Sequence, residues 1–216
     1  MRIEQTVMLQ ALEWSYSKAR DGAGPFESAY QLAQKQLEGA SSRAAAVENI
    51  INWQVTKCAT SGFITGLGGL LTLPLAIPVN ISSVLLFQLR MILCIALLRG
   101  FDPRSERVRS MAFLCLTGSS ASRILNEAGV DASGGIREQT MQCISEQVMR
   151  RINHLVKIRL LTKTGGIGIL KLGKAIPLIG GVIGGTLDAS ATKEIGRAAK
   201  RLFVAPTPIQ KEPSGW

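Results

Sequence analysis

"SGFITGLGGLLTLPLAIPVNISSVLLFQLRMILCIALL", residues 61–98, contains a single formal charge, Arg90. No other charged side chain occurs between Lys57 and Arg99. The run of about 40 residues is twice the ~20 that a membrane-spanning helix needs. Pro74 and Pro78 divide it into a glycine-rich first arm and a longer second arm. Proline removes a backbone donor and restricts the residue before it, so the pair reads as the turn of a helical hairpin. At roughly 100° per residue, Asn80, Ser83, Gln88 and Arg90 fall within about half of the second arm's circumference. A helix bathed in lipid gains nothing from such a face, whereas one packed against other helices uses it. The expectation is a hairpin that is partly embedded in membrane or deeply buried.

The rest of the chain supports helices. Its 216 residues suit one domain or one domain with a small appendage. Aromatic residues make up 5% and there are 22 glycines, a balance that favours helices packed closely through small side chains over a β fold. Residues 3–20 carry Val7, Leu9, Leu12, Trp14 and Tyr16 at helical spacing. A second helix is expected over 26–37. A third starts at Ser41 or Ser42 and buries Val47, Ile50, Ile51 and Val55. Beyond Asp102 the pattern predicts one helix with Val108, Met111, Leu114 and Cys115 inside, then an amphipathic helix through "REQTMQCISEQVMRRINHLVKIRLL". The fold class is all-α: a helical bundle with two Gly/Pro-rich apolar hairpins. Residues 1–40 form N-terminal amphipathic helices, 41–203 the main helical domain, and 204–216, with three prolines, a flexible tail.

The net charge is +10 and the pI about 9.9, with mean hydropathy +0.21. Such an excess suits nucleic acid or an anionic bilayer face. The basic residues cluster beside apolar stretches rather than among aromatics, so a membrane surface is expected and nucleic acid is not. Arg99, Arg104, Arg107, Arg109, Arg150 and Arg151 are the candidate contacts to anionic lipid. With Arg43 and Lys57 before the apolar run and arginines after it, both ends stay on one side, as a hairpin requires. Cys58, Cys94, Cys115 and Cys143 form no CxxC pair, which suits a reducing compartment, and no secretory signal is evident.

A second apolar segment, "GGIGILKLGKAIPLIGGVIGG", residues 165–185, imitates a phosphate-binding loop through Gly168, Gly173 and Lys174. That loop needs a hydroxyl after the lysine to hold magnesium, and Ala175 stands there. The residues between are bulky, and Pro177 interrupts the helix that should follow. Small-residue packing fits better. Gly180 and Gly184, and Gly181 and Gly185, recur at every fourth position, as do Gly62 and Gly66 near Gly68 and Gly69. For catalysis, Ser120 in "TGSSASR" and the single His154 are weak candidates, since the closing glycine of a nucleophile elbow is replaced by Ser122. One histidine and four scattered cysteines do not make a metal site, and no cofactor is expected. Arg90 and Asp188 stand out as ionisable residues within apolar helices and form a candidate buried ion pair.

Two blocks resemble the EcsC family of bacterial proteins. One is the stretch quoted first with its continuation to "LCLTG", which shows a Gly-rich entry, a proline pair, a helix ending I-A-x-x-x-G-[FY]-D and another ending L-x-G. The other is "GGVIGGTLDASATKEIGRAAKRLF". The resemblance implies a helical, membrane-associated protein with no catalytic motif to carry over. The expected function is non-enzymatic: apolar hairpins inserted at the cytoplasmic face of the inner membrane, acting on the bilayer or on a membrane-protein partner. That covers a regulator of transport and a membrane-perturbing effector; a homo-oligomer is compatible with both. The rival readings are a soluble helical hydrolase and a soluble interaction module.

Overall fold

A computed structural model describes residues 3–22, 24, 26–59, 79–166 and 181–205. Among them are nine α-helices, one 3-10 turn and no strand: α1 (Ile3–Asp21), α2 (Ala29–Glu38), α3 (Arg43–Ala59), α4 (Val79–Leu98), α5 (Glu106–Cys115), the turn Gly118–Ser120, α6 (Ala121–Glu127), α7 (Glu138–Cys143), α8 (Glu146–Gly166) and α9 (Gly181–Leu202). The chain is all-α, as its composition requires.

Helix α4 is the axis of the bundle. Every residue from 86 to 96 is buried, most of them completely, and α1, α2, α3, α5 and α9 pack around it. A helix this apolar, whose polar side chains over residues 84–98 are Gln88 and Arg90, must be covered on all sides. For the described part of the second arm, protein supplies that cover. Leu89, Met91, Ile92, Leu93 and Ile95 each lose all exposure, and each such burial contributes about 1.5–3 kcal/mol.

The helix stops where Gly100 takes φ +87°, which a side chain would strain. The amide of Phe101 donates to the Ala96 carbonyl (3.0 Å) and that of Gly100 to Leu97 (2.9 Å), a Schellman closure. Phe101 then turns into the core, edge-on to Phe203 at 5.0 Å. Asp102 accepts from the Tyr30 hydroxyl (3.2 Å) and the Arg104 amide (2.9 Å). The I-A-x-x-x-G-F-D block is thus a helix stop followed by an anchor.

Local capping decides where the other helices begin. Ser28 and Gln31 form a reciprocal capping box, so α2 starts at Ala29, and Phe26, expected within it, lies ahead of the cap. Ser42 Oγ accepts from the Ala45 amide, which selects Ser42 over Ser41 as the start of α3. The two long helices expected after Asp102 are each broken. Gly118, at φ +62°, separates α5 from α6. The amphipathic stretch divides into α7 and α8 because Ser145 Oγ caps the Val148 amide and Arg107 takes the Met141 and Ile144 carbonyls. These carbonyl contacts need a partner distant in sequence, so helical periodicity alone does not reveal the break.

Candidate functional site

Helices α3, α4 and α9 share a register that locates the site. Gly196 of α9 lies against Ile51 of α3 and Met91 of α4. Lys200 pairs with Glu48 on one side of that level, and Gln88 donates to Thr192 Oγ1 (3.4 Å) on the other. Hence α3 runs antiparallel to both α4 and α9. The C-terminus of α3 and the N-termini of α4 and α9 therefore emerge at one end of this three-helix core.

A polar layer lies one turn from the Gly196 level, towards that end. Gln54 follows Ile51 by three residues on the same face of α3 and is fully buried. Neither its amide nitrogen nor its amide oxygen has a hydrogen-bond partner among the described residues. Gln88, Thr192 and Arg90 are also buried. Arg90 sits among three rings, 4.9 Å from Phe87 and 5.9 Å from both Phe26 and Trp53, and donates to the Glu27 carbonyl at 3.3 Å. Burial lowers the guanidinium's pKa from its ordinary value, while the Glu27 carboxylate acts in the opposite direction. Burial pushes the thiol of Cys94, one turn along, up to about 12, so it stays protonated and unreactive.

An unpaired buried amide costs stability, so such groups call for an explanation. Replacing Gln54 by leucine is expected to stabilise the fold by about 1–3 kcal/mol, because it removes the penalty and keeps the bulk. A denaturation midpoint moving downward would show instead that the amide has a partner.

Among the described residues, the contacts of Arg90 are to elements other than α9. Gln88, which faces α9, is two residues from Arg90 and so about 200° away around the helix. Arg90 points to Phe26, Glu27 and Trp53, while the Asp188 side chain lies outside the described residues. Alanine at both positions should therefore destabilise additively, within about 0.5 kcal/mol. A coupling well above that in a double-mutant cycle would restore the pair.

The other expected site residues separate by role. Arg107 bonds the Met141 and Ile144 carbonyls and pairs with Glu146 (2.8 Å), so it fastens α5 to the α7–α8 junction. Arg109 is held by Glu13 (3.2 Å) and Glu106. Arg99 is half-buried, and its Nε has no partner among the described residues. Arg104, Arg150 and Arg151 are exposed, without ion pairs among the described residues, and are the arginines of this set free to meet an anionic surface. Gly181, Gly184 and Gly185 belong to α9, but the surroundings of their Cα atoms lie outside the described residues. Gly62, Gly66, Gly68, Gly69, Pro74, Pro78 and Gly180, and the tail from 206, also lie outside them.

Ser120 is buried in the 3-10 turn and His154 is exposed on α8, with no hydrogen bond joining them. Among the described residues there is no cluster of three metal-ligating side chains, and no helix is long and apolar enough to cross a membrane. Sequence reading missed Gln54, whose signal was a polar residue at i+3 from Ile51 on an otherwise apolar stripe.

The architecture is that of an all-helical bundle built around one fully wrapped helix, with a buried polar layer near one end in which the Gln54 amide has no partner among the described residues. Residues 3–204, nearly the whole chain, match the EcsC protein family, and the protein belongs to it. No curated protein and no solved structure matches the chain.

Proposed function

We propose that this EcsC-family protein associates with membranes through the chain segments that leave the Gln54–Arg90 end of the bundle. One observation carries the reading. The chain departs from α3 at Ala59 and re-enters at Val79 at the same end, and it enters α9 at Gly181 there too. The intervening residues 60–78 contain no charge, and 167–180 contain only two lysines. Apolar sequence such as 60–78, tethered by both ends to one pole of the bundle, suits a bilayer interface better than a single crossing. Lys171 and Lys174, within the second of these segments, add attraction to anionic lipid, at about 1 kcal/mol for each that lies near the surface. The activity would be exerted on the bilayer or on a membrane partner, at the cytoplasmic face.

Flotation of the purified full chain with vesicles tests this. The protein should rise with vesicles containing anionic phospholipid and less with zwitterionic ones. Replacing residues 60–78 with a Gly-Ser linker of equal length should abolish flotation while helical circular dichroism persists. A wild-type chain that stays at the bottom of the gradient with both vesicle types would sink the proposal.

A further inference from the structure

The joint at Gly196 divides the α3–α4–α9 core into two unlike halves. On the side away from the end of α3, that helix buries Ala46, Val47 and Ile50 completely, and Glu48 pairs with Lys200. On the side towards Ala59, the pole of the bundle, the same core holds the polar layer. There Gln54 is fully buried with both amide atoms unpartnered among the described residues, and the Gln88 amide reaches Thr192 Oγ1 at a long 3.4 Å. Arg90 Nε lacks a partner among them as well. Separating an apolar interface forfeits the burial of its side chains. Separating an unpaired amide from its surroundings costs less, because water then bonds both of its polar atoms. The two halves therefore resist opening unequally, and the half towards the pole gives way first.

We propose that α3 swings away from α4 and α9 about the Gly196 joint, opening the core at the pole while the far half stays packed. Gly196 is the pivot because the helices are in closest contact there. A Cβ on it would lie 3.0 Å from Ile51 and 3.3 Å from Met91 Sδ, so the helices turn about this level rather than slide past it. Of the rings around Arg90, Trp53 at 5.9 Å belongs to α3, while Phe87 at 4.9 Å shares α4 with the arginine. Opening thus gives water to the Gln54 amide and leaves Arg90 its nearest ring. Residues 60–78 start where α3 ends and finish where α4 begins, so the swing sets the separation of the two anchors of that segment. The device goes beyond the membrane reading and stands without it, since nothing in the swing requires lipid.

Thiol labelling of the full chain without vesicles tests the swing, with each rate divided by that of the same thiol in denaturant. Thr192→Cys places a probe in the polar layer, and the buried native Cys94, beyond Met91 on the far side of the joint, is the reference. The Thr192→Cys thiol is expected to react about tenfold faster than Cys94, or more. Adding Gln54→Leu should slow it roughly tenfold, since the closed state then holds no unpaired amide. Val47→Ala, in the far half, should speed Cys94 about tenfold and leave the Thr192→Cys thiol within about twofold, because Val47 stays packed in the open form. If Thr192→Cys does not fold, Gln88→Cys takes its place in the same layer. Equal rates for the two thiols, no slowing by Gln54→Leu, or a Val47→Ala effect shared by both thiols would each overturn the proposal.

Discussion

Gly135→Ala should lower the melting temperature by about 6–12 °C, the shift that roughly 3 kcal/mol produces in a chain of this size. Two costs combine at this residue. Its φ is +74°, a region that an L side chain enters only under strain. A Cβ there would also lie 2.2 Å from Val204 Cγ2 and 2.5 Å from the Arg201 carbonyl oxygen. The valine methyl could swing aside; the carbonyl belongs to the last turn of α9 and could not. The clash falls beside a backbone clamp in which the Ile136 amide donates to Leu202 O (2.7 Å) and the Val204 amide to Ile136 O (3.0 Å). That clamp ties the end of α9 to the loop before α7 and seats Phe203 against Phe101. Thermal denaturation followed by circular dichroism reads the effect, and a variant melting within a degree or two of wild type would contradict it.

The second large effect belongs to Gly196, at the joint of α3, α4 and α9. An added Cβ would lie 3.0 and 3.1 Å from the Ile51 branch carbons and 3.3 Å from Met91 Sδ. For Gly196→Ala two effects of similar size oppose each other. Replacing a helical glycine gains about 1 kcal/mol in propensity, and the methionine thioether can shift at modest cost. A net change near zero is expected. Gly196→Val adds two further carbons to a joint with no room and lacks alanine's propensity, so a loss of about 3 kcal/mol is expected. The contrast is the useful measurement. If alanine and valine were equally harmless in chemical denaturation, the helices would not be in close contact at this level.

Gly196 also marks the boundary of what small-residue spacing conveys. The repeats at Gly180, Gly181, Gly184 and Gly185 draw the eye, yet the close approach between helices found among the described residues is at Gly196, three steps of four beyond Gly184 with Asp188 and Thr192 between. Periodicity reports that a face is small; it does not report which neighbour arrives there. Gln54 shows the same limit. Its position on the α3 stripe was readable, but its lack of a partner depends on what Gln88, Thr192 and Arg90 do on other helices.

By itself the sequence determined the helical class, the family, the presence of α1 and most of the buried stripe of α3, because 3.6-residue periodicity, capping side chains and a conspicuous apolar run are local signals. It also determined that the described part of α4 could not stand bare in water. Tertiary structure alone decided that protein covers this part, that Arg107 ends one helix and starts the next, and that Arg90 faces aromatic rings and the Glu27 carbonyl. The reason is physical: desolvation penalises an exposed apolar face or a naked buried charge whatever replaces the water, so sequence shows the need for a partner. Only the packing of elements distant along the chain selects which partner meets it.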